Sequence, residues 1–408
     1  MTGRLCPFLL NAGLVAASLG VGLAVIEATA WIIHPPPRSY SIPRDMLTQA
    51  SGVWTVTPDF RGVMDNRIDF RGKTVNADSR GVRRGPAAVG TPVYRRLFVL
   101  GDSQTFGHGL NDDETWPARL QGLLDIERPG TQVENWGVPG INVDQYAERL
   151  KRLLVAAKAG DAVLVGVSWN DLITPQTRQA MSIVEGYLVN APTKPQETAF
   201  PAEQVPAAVP TGATTDPATA ARVRLYDYTG VVIPPFQDLQ QFAEALALNS
   251  ALASFLVPRL RALWHRWRPK TPFPELLAAQ VPDANFWLLF NMKEEAKARG
   301  IAFAVVLLPE RYFIDDAMYH AYSGGGRFFP ERNYMGYIAQ PLCRSFDISC
   351  IDPFEALVEH HRREPVTFHV DGHYNPAGAA VIAAVVARDI RSLLPRRSTP
   401  PSPRWCCS

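Results

Sequence analysis

The sequence predicts an α/β chain: a parallel sheet with helices on both faces, preceded by one apolar N-terminal segment. Three observations carry this reading. Short apolar runs alternate with segments of helical apolar spacing over 95–175 and again over 285–394, and strand–helix–strand alternation is the mark of a parallel sheet. Pro7 to Ile33 is almost wholly apolar, broken by Asn11 and Glu27. Between Pro175 and Pro282 the alternation stops, and fourteen of the chain's 35 prolines crowd that stretch.

A chain of 408 residues has room for two or three domains, or one enlarged domain. With 47% hydrophobic and 20% charged residues it can bury a sizeable core, which excludes global disorder. Its 41 Lys+Arg against 39 Asp+Glu give a net charge of +2, which argues against nucleic acid as a partner held by bulk charge. Five cysteines without a C-x-x-C pair give neither a disulfide scaffold nor a zinc ribbon.

Residues 1–34 are expected to form a transmembrane anchor or a signal segment. Arg4 precedes the apolar run and His34-Pro35-Pro36-Pro37 ends it, since proline lacks the amide donor and clashes with the preceding turn. A stretch of about 20 apolar residues spans a bilayer. The uninterrupted part, Ala12 to Ile26, is shorter, and Ala28-Thr29-Ala30 resembles a small-x-small cleavage site, so secretion after cleavage is the alternative. As an anchor it makes the chain a single-pass protein of the inner membrane with its bulk on the periplasmic or extracellular side. That side is oxidising, which allows Cys343 and Cys350 to pair across a short loop.

The elements follow in order. Residues 35–94 hold short mixed runs and turn residues, an irregular or β-rich lead-in. Arg95 to Leu100 reads as a buried strand ending at Gly101. Trp116, Leu120, Leu123 and Leu124 share a helix face, Gln132 to Asn135 is a short strand, and Tyr146 to Ala157 is an amphipathic helix stopped by Gly160. Ala162 to Val167 is another buried strand. The insertion 175–285 holds a Pro/Ala/Thr-rich loop over 191–220 and a helical pattern from Phe236 to Trp267 with a basic, Trp-bearing end. Residues 285–299 read as a helix capped by Gly300, Ile301 to Leu308 and Ile348 to Ile351 as strands. Asn375 and Pro376 then open a last helix running to Leu394. The domain carrying the sheet is 95–394, and 395–408 is a disordered tail.

Ligands of open parallel sheets bind beyond the carboxyl ends of the strands, so the residues just after each strand are the candidates for chemistry. Gly101-Asp102-Ser103 places a serine between a strand and a helix, where amides stabilise negative charge. Gly137, in Asn135-Trp136-Gly137, lets a backbone amide approach a ligand closely, although an ordinary turn reads the same way. Asn170 follows the next strand, either aimed at the same place or capping a helix. Asp371-Gly372-His373 is a compact base-and-orienter pair: the carboxylate holds one imidazole nitrogen and leaves the other free to take a proton from a serine. The run His369-x-Asp371-x-His373 also reads as a metal-ligand pattern. His108 reads as a surface histidine on a loop.

Serine, glycine, asparagine and Asp-x-His in this order make the chain resemble the SGNH (GDSL-type) hydrolases, whose blocks match Ser103, Gly137, Asn170 and His373 with Asp371 as they stand here. The lead-in Asn76 to Arg83, with the apolar N-terminus, resembles a membrane-anchored bacterial subgroup. The resemblance covers roughly half the chain, and the insertion departs from it. It implies a three-layer α/β/α sandwich with a five-stranded parallel sheet, flavodoxin-like in plan. It implies a serine esterase with Ser103 as nucleophile, His373 as base and Asp371 as its orienter, and with the oxyanion held by Ser103, Gly137 and Asn170. No cofactor and no metal are implied. The expected substrate is an acetyl or other short acyl ester on an envelope carbohydrate. The alternatives are an O-acyltransferase on a polysaccharide, a lipid or lysophospholipid esterase, and a non-catalytic glycan-binding scaffold.

Overall fold

A computed structural model describes residues 5–33, 42–50, 53–66, 69–88, 92–168, 171, 181–184, 187–190, 250–253, 256, 260, 283–323, 332–369 and 371–394. These fall into two compact units, one of 1–41, 66–68 and 229–270, the other of 42–65, 69–228 and 271–408.

The first unit holds α1 (Leu5–Ile33), a single helix of 29 residues. At 1.5 Å per residue it is about 43 Å long, more than the roughly 30 Å of a bilayer's hydrocarbon core. Its stretch Gly13–Ile33 is apolar and long enough to cross a membrane. Its one carboxylate within that stretch, Glu27, accepts hydrogen bonds from Ser250 Oγ (2.8 Å), Ala251 N (2.7 Å) and Leu252 N (3.1 Å). The rest of the helical pattern read over Phe236 to Trp267, the loop 191–220 and the tail 395–408 lie outside the described residues.

The second unit is the α/β body. Its lead-in forms two antiparallel pairs, β1 (Leu47–Ala50) with β2 (Val53–Val56) and β3 (Arg61–Met64) with β4 (Lys73–Asn76). The main sheet follows: β5 (Arg95–Leu100), β6 (Thr131–Asn135), β7 (Ala162–Ser168), β10 (Ala302–Leu308) and β11 (Ser349–Ile351). All neighbours are parallel, in the order β11-β10-β7-β5-β6. The five-stranded parallel sheet expected from the sequence is therefore present. Every residue of β7 is buried, because a central parallel strand is covered on both faces and has no wet side to alternate with.

Between those strands lie α2 (Ser103–Phe106), α3 (Trp116–Glu127), α4 (Val143–Ala156) and α5 (Asp283–Lys297). After β10 come α6 (Arg311–Ile314), α7 (Asp316–Ser323), α8 (Tyr334–Ser345), α9 (Phe354–His361) and α10 (Pro376–Asp389). Helix α3 packs with α10, and α4 packs with α5, giving the two helical layers. The helices α6 to α9 had no counterpart in the sequence reading. Neither did the hairpin of β8 (Met181–Val184) and β9 (Tyr187–Asn190) inside the insertion. Cys343, at the end of α8, is disulfide-bonded to Cys350 in β11.

The chain leaves β5, goes out to the edge strand β6 on one side of it, and returns to the central strand β7 on the other. The crevice at the carboxyl end of β5 is thus the switch point where such sheets hold ligands. Ser103 stands three residues beyond Leu100, the end of that strand.

Candidate active site

The turn after β5 is built for close packing. A Cβ at Gly101 would come within 2.1 Å of Thr105 Oγ1, so the chain turns there without room for a side chain. Asp102 is buried and caps α2, its carboxylate accepting from Gln104 N at 2.9 Å. Ser103 is the first residue of that short helix. The turn is fixed from behind by Arg83, whose side chain is fully buried. Its Nη1 donates to the carbonyls of Phe106 (2.6 Å) and Gly107 (2.7 Å), its Nη2 to Leu110 (2.6 Å), and its Nε to Asp112 Oδ1 (3.0 Å). The guanidinium also lies over the Phe106 ring, 4.4 Å from its centroid. Its Nη2 also donates to Thr74 O (3.2 Å), so one cation satisfies four carbonyls that burial would otherwise leave costly.

The second part of the site is the loop before α10. Phe368 N donates to His373 O (2.8 Å) and Asn375 N to Val366 O (3.1 Å), closing a small antiparallel turn. Asn375 then caps α10, its side chain accepting from Gly378 N at 3.0 Å. Tyr374 joins this loop to two strand ends: its N–H reaches Gln104 Oε1 (3.2 Å) and its hydroxyl donates to Pro309 O (2.6 Å).

These two segments, 270 positions apart, meet. His373 Nε2 is 2.8 Å from Ser103 Oγ, and His373 Nδ1 is hydrogen-bonded to Asp371 Oδ1. Hydroxyl, imidazole and carboxylate stand in one line of hydrogen bonds. Burial disfavours the charged imidazolium of His373, but the Asp371 carboxylate beside it, with Asp102 and Glu310 further off, outweighs burial and raises its pKa above the ordinary histidine value. For Asp371 burial acts upward, yet the paired imidazole holds its pKa down at about 2. Asp371 is therefore ionised at neutral pH, and the ring beside it accepts a proton more readily than an ordinary histidine.

The other expected site residues fall differently. Asn170 lies outside the described residues. Gly137 sits where a Cβ would meet Phe106 N at 2.4 Å, so it is glycine because β6 leads onto the back of the turn 103–106. Its amide, expected to face a ligand, donates to Asn135 Oδ1 at 3.0 Å, while Asn135 Nδ2 donates to Thr105 O (3.2 Å) and Phe106 O (3.3 Å). Asp171, the neighbour of Asn170, is fully buried, accepting from Tyr146 OH (2.8 Å) and Ser168 N (2.7 Å). Burial, then the Asp102 charge, pushes its pKa well above the carboxylate range. His369 is exposed, so the H-x-D-x-H run does not converge on one point.

His108 corrects the sequence reading: it is not on the surface but 6% exposed. Its Nε2 is 3.7 Å from Asp371 Oδ2, its ring 4.6 Å from that of His373, and Phe70 meets it edge-on at 5.5 Å. Burial, then the neighbouring His373, pushes its pKa down to about 3, so the ring is neutral. Three further residues escaped the sequence reading. Asp69, in the lead-in, accepts from His369 N (3.0 Å) and Asp371 N (2.7 Å), one carboxylate bridging two amides of the histidine loop. Arg311 donates to the carbonyls of Phe368 and His369. Glu310, at the end of β10, has its pKa raised to about 7 by burial and then by the Asp102 charge.

No family model matches the chain, and no curated protein matches it. Among solved structures, the chain is similar to a member of the lipolytic G-D-S-L family from Veillonella parvula, at 11% identity over 72% of this chain and 97% of that one, with a TM-score of 0.36. It is similar to TesA at 16% identity, over 73% and 99% of the two chains, TM-score 0.36. It is similar to Axe2, an acetylxylan esterase from Geobacillus stearothermophilus, at 14% identity, over 74% and 95%, TM-score 0.35.

Proposed function

We propose that the protein is a membrane-anchored serine esterase that removes acetyl or other short acyl groups from an envelope carbohydrate. The observation that carries the chemistry is the 2.8 Å contact between Ser103 Oγ and His373 Nε2, with Asp371 on the other imidazole nitrogen. Ser103 attacks the ester carbonyl as His373 takes its proton. The imidazolium then protonates the leaving alcohol, and Asp371 orients the ring and stabilises its charge. Water, deprotonated by the same imidazole, releases the acid from the acyl-enzyme. The oxyanion is received by the Ser103 amide and the Asn170 side chain, with the Gly137 amide as a donor shared with Asn135. One such donor contributes about 2.7–4 kcal/mol to the transition state.

Retention of α1 as an anchor, with the sheet domain on the periplasmic side, has two supports. Ala28-Thr29-Ala30 lies inside a continuous helix, where the Thr29 hydroxyl donates back to Val25 O at 2.8 Å. Glu27 also holds Ser250 to Leu252, a tie that cleavage after Ala30 would sever. The Cys343–Cys350 disulfide fits the oxidising side of that membrane.

The test is acyl-enzyme formation. A fluorophosphonate probe should label Ser103 in the full chain, and Ser103→Ala should abolish labelling and lower turnover of a short acyl ester by about 10⁴-fold or more. Full turnover in that variant would remove Ser103 from the chemistry.

A further inference from the structure

The esterase mechanism gives His108 no step, yet His108 is buried against the reacting groups. One carboxylate, Asp371, is flanked by two imidazoles: Oδ1 is bonded to His373 and Oδ2 lies 3.7 Å from His108 Nε2. The two rings are 4.6 Å apart and tilted by 42°, so they do not stack flat. One ligand atom from each of the three residues lies within 4.8 Å of the other two.

Two imidazoles and a carboxylate are a donor set that zinc takes in open, mononuclear sites, at about 2.0–2.2 Å from each atom. Ligand atoms at that radius around a tetrahedral ion stand about 3.4 Å apart. The His108–Asp371 pair is already near this spacing, and the widest pair closes by at most about 1.4 Å, within reach of side-chain rotation. Hard cations such as Mg²⁺ and Ca²⁺ want oxygen-only shells, so nitrogen-rich donors favour Zn²⁺ over them.

We propose that His108, Asp371 and His373 form a Zn²⁺ site, and that the ion occupying it switches the esterase off. Inhibition follows whichever nitrogen of His373 binds. If zinc takes Nε2, it displaces the Ser103 hydroxyl. If it takes Nδ1, Nε2 carries the ring proton and becomes a donor, unable to accept from Ser103. In both cases the serine has lost its base. The binding itself stands apart from the esterase reading; the inhibition rests on it.

The test uses the untagged full chain in detergent. Isothermal titration with ZnCl₂ should give one ion per chain, and titration with Co²⁺ should give the visible absorption of a four-coordinate ion. His108→Phe and, as the polar variant that spares the packing, His108→Gln should each weaken zinc binding at least tenfold, whereas Ser103→Ala should keep it. Zinc should inhibit ester turnover at the concentration at which it binds, and the inhibition midpoint should rise at least tenfold in a folded His108 variant. Equal zinc affinity in the wild type and both His108 variants overturns the site, as does the absence of saturable binding. If the wild type turns over no ester, the esterase reading falls while the zinc titration still decides the site.

Discussion

The turn that carries Ser103 and the loop that carries His373 are both held by a charged residue of the lead-in, but in opposite ways. Arg83 is a fully buried cation that donates to four carbonyls and one carboxylate. Asp69 is a partly exposed anion that accepts from two amides. Each charge complements the backbone polarity of its loop, amides for the anion and carbonyls for the cation. The difference lies in what water can repair. Removing the buried charge orphans polar groups that solvent cannot reach, whereas amides near the surface can bond to water instead. Arg83 should therefore matter to folding, and Asp69 to the placement of Asp371 and His373.

The largest effect expected in this comparison belongs to the histidine loop itself. Asp371→Asn should leave the geometry intact but remove the charge that fixes and supports the imidazole, lowering turnover by about 10⁴-fold. The acid limb of the pH profile sharpens the point. In the proposed mechanism, turnover needs His373 neutral. Its pKa is raised by Asp371, so the wild-type rate should fall through a midpoint above the reference value of about 6.5, higher than the sequence alone would place it. In Asp371→Asn the midpoint should move down. A midpoint unchanged between the two would mean that the carboxylate does not set the ring's titration.

Next in size is Arg83→Met, read by denaturant unfolding. Breaking a buried, fully bonded ion pair by removing one partner costs about 3–5 kcal/mol. A loss of under about 1 kcal/mol would make Arg83 equivalent to a surface ion pair and end the contrast with Asp69. Asp69→Asn, by comparison, keeps one acceptor oxygen and trades the other for a donor, so one amide bond is lost. We expect kcat to fall about tenfold through misplacement of the reacting groups, with KM and the unfolding midpoint near wild type. A loss of stability matching that of Arg83→Met, with kcat unchanged, would reverse the assignment of roles.

The same two segments mark what was legible in the sequence. Ser103 stands out because a buried strand run ends in Gly101-Asp102, and Asp371 and His373 stand out because they lie two residues apart before a well-capped helix. Those signals are local. Asp69, His108 and Arg311 act across tens to hundreds of positions, and nothing in their neighbours announces it. His108 looks like a loop histidine until Phe70, from the lead-in, covers it. Gly137 was visible as a glycine that matters, but the reason was not. A close backbone approach to Phe106 and an amide facing a ligand leave the same letter. The β8–β9 hairpin was missed because the prolines around it drew the reading, although Gly186 stands in the sequence between two short β-prone runs.

The smallest effect separates stability from chemistry within one residue. Glu310 lies two residues beyond the end of β10, and its folded pKa is raised to about 7 from 4.5 by burial and by Asp102. A carboxyl whose folded pKa is raised binds its proton more tightly in the native state. Its contribution to stability is complete below about pH 4.5 and is lost as pH rises through about 7. Glu310→Gln, a neutral mimic, should therefore match the wild type near pH 4 and exceed it at pH 8, by on the order of 1 kcal/mol. The variant also removes one of the negative charges that raise the His373 pKa, so the acid limb of turnover should shift slightly downward, by less than in Asp371→Asn. Stability at pH 8 that is unchanged or lower in Glu310→Gln would mean the carboxylate is stabilised by partners at the site, and Glu310 would then have to be read as a bonded anion.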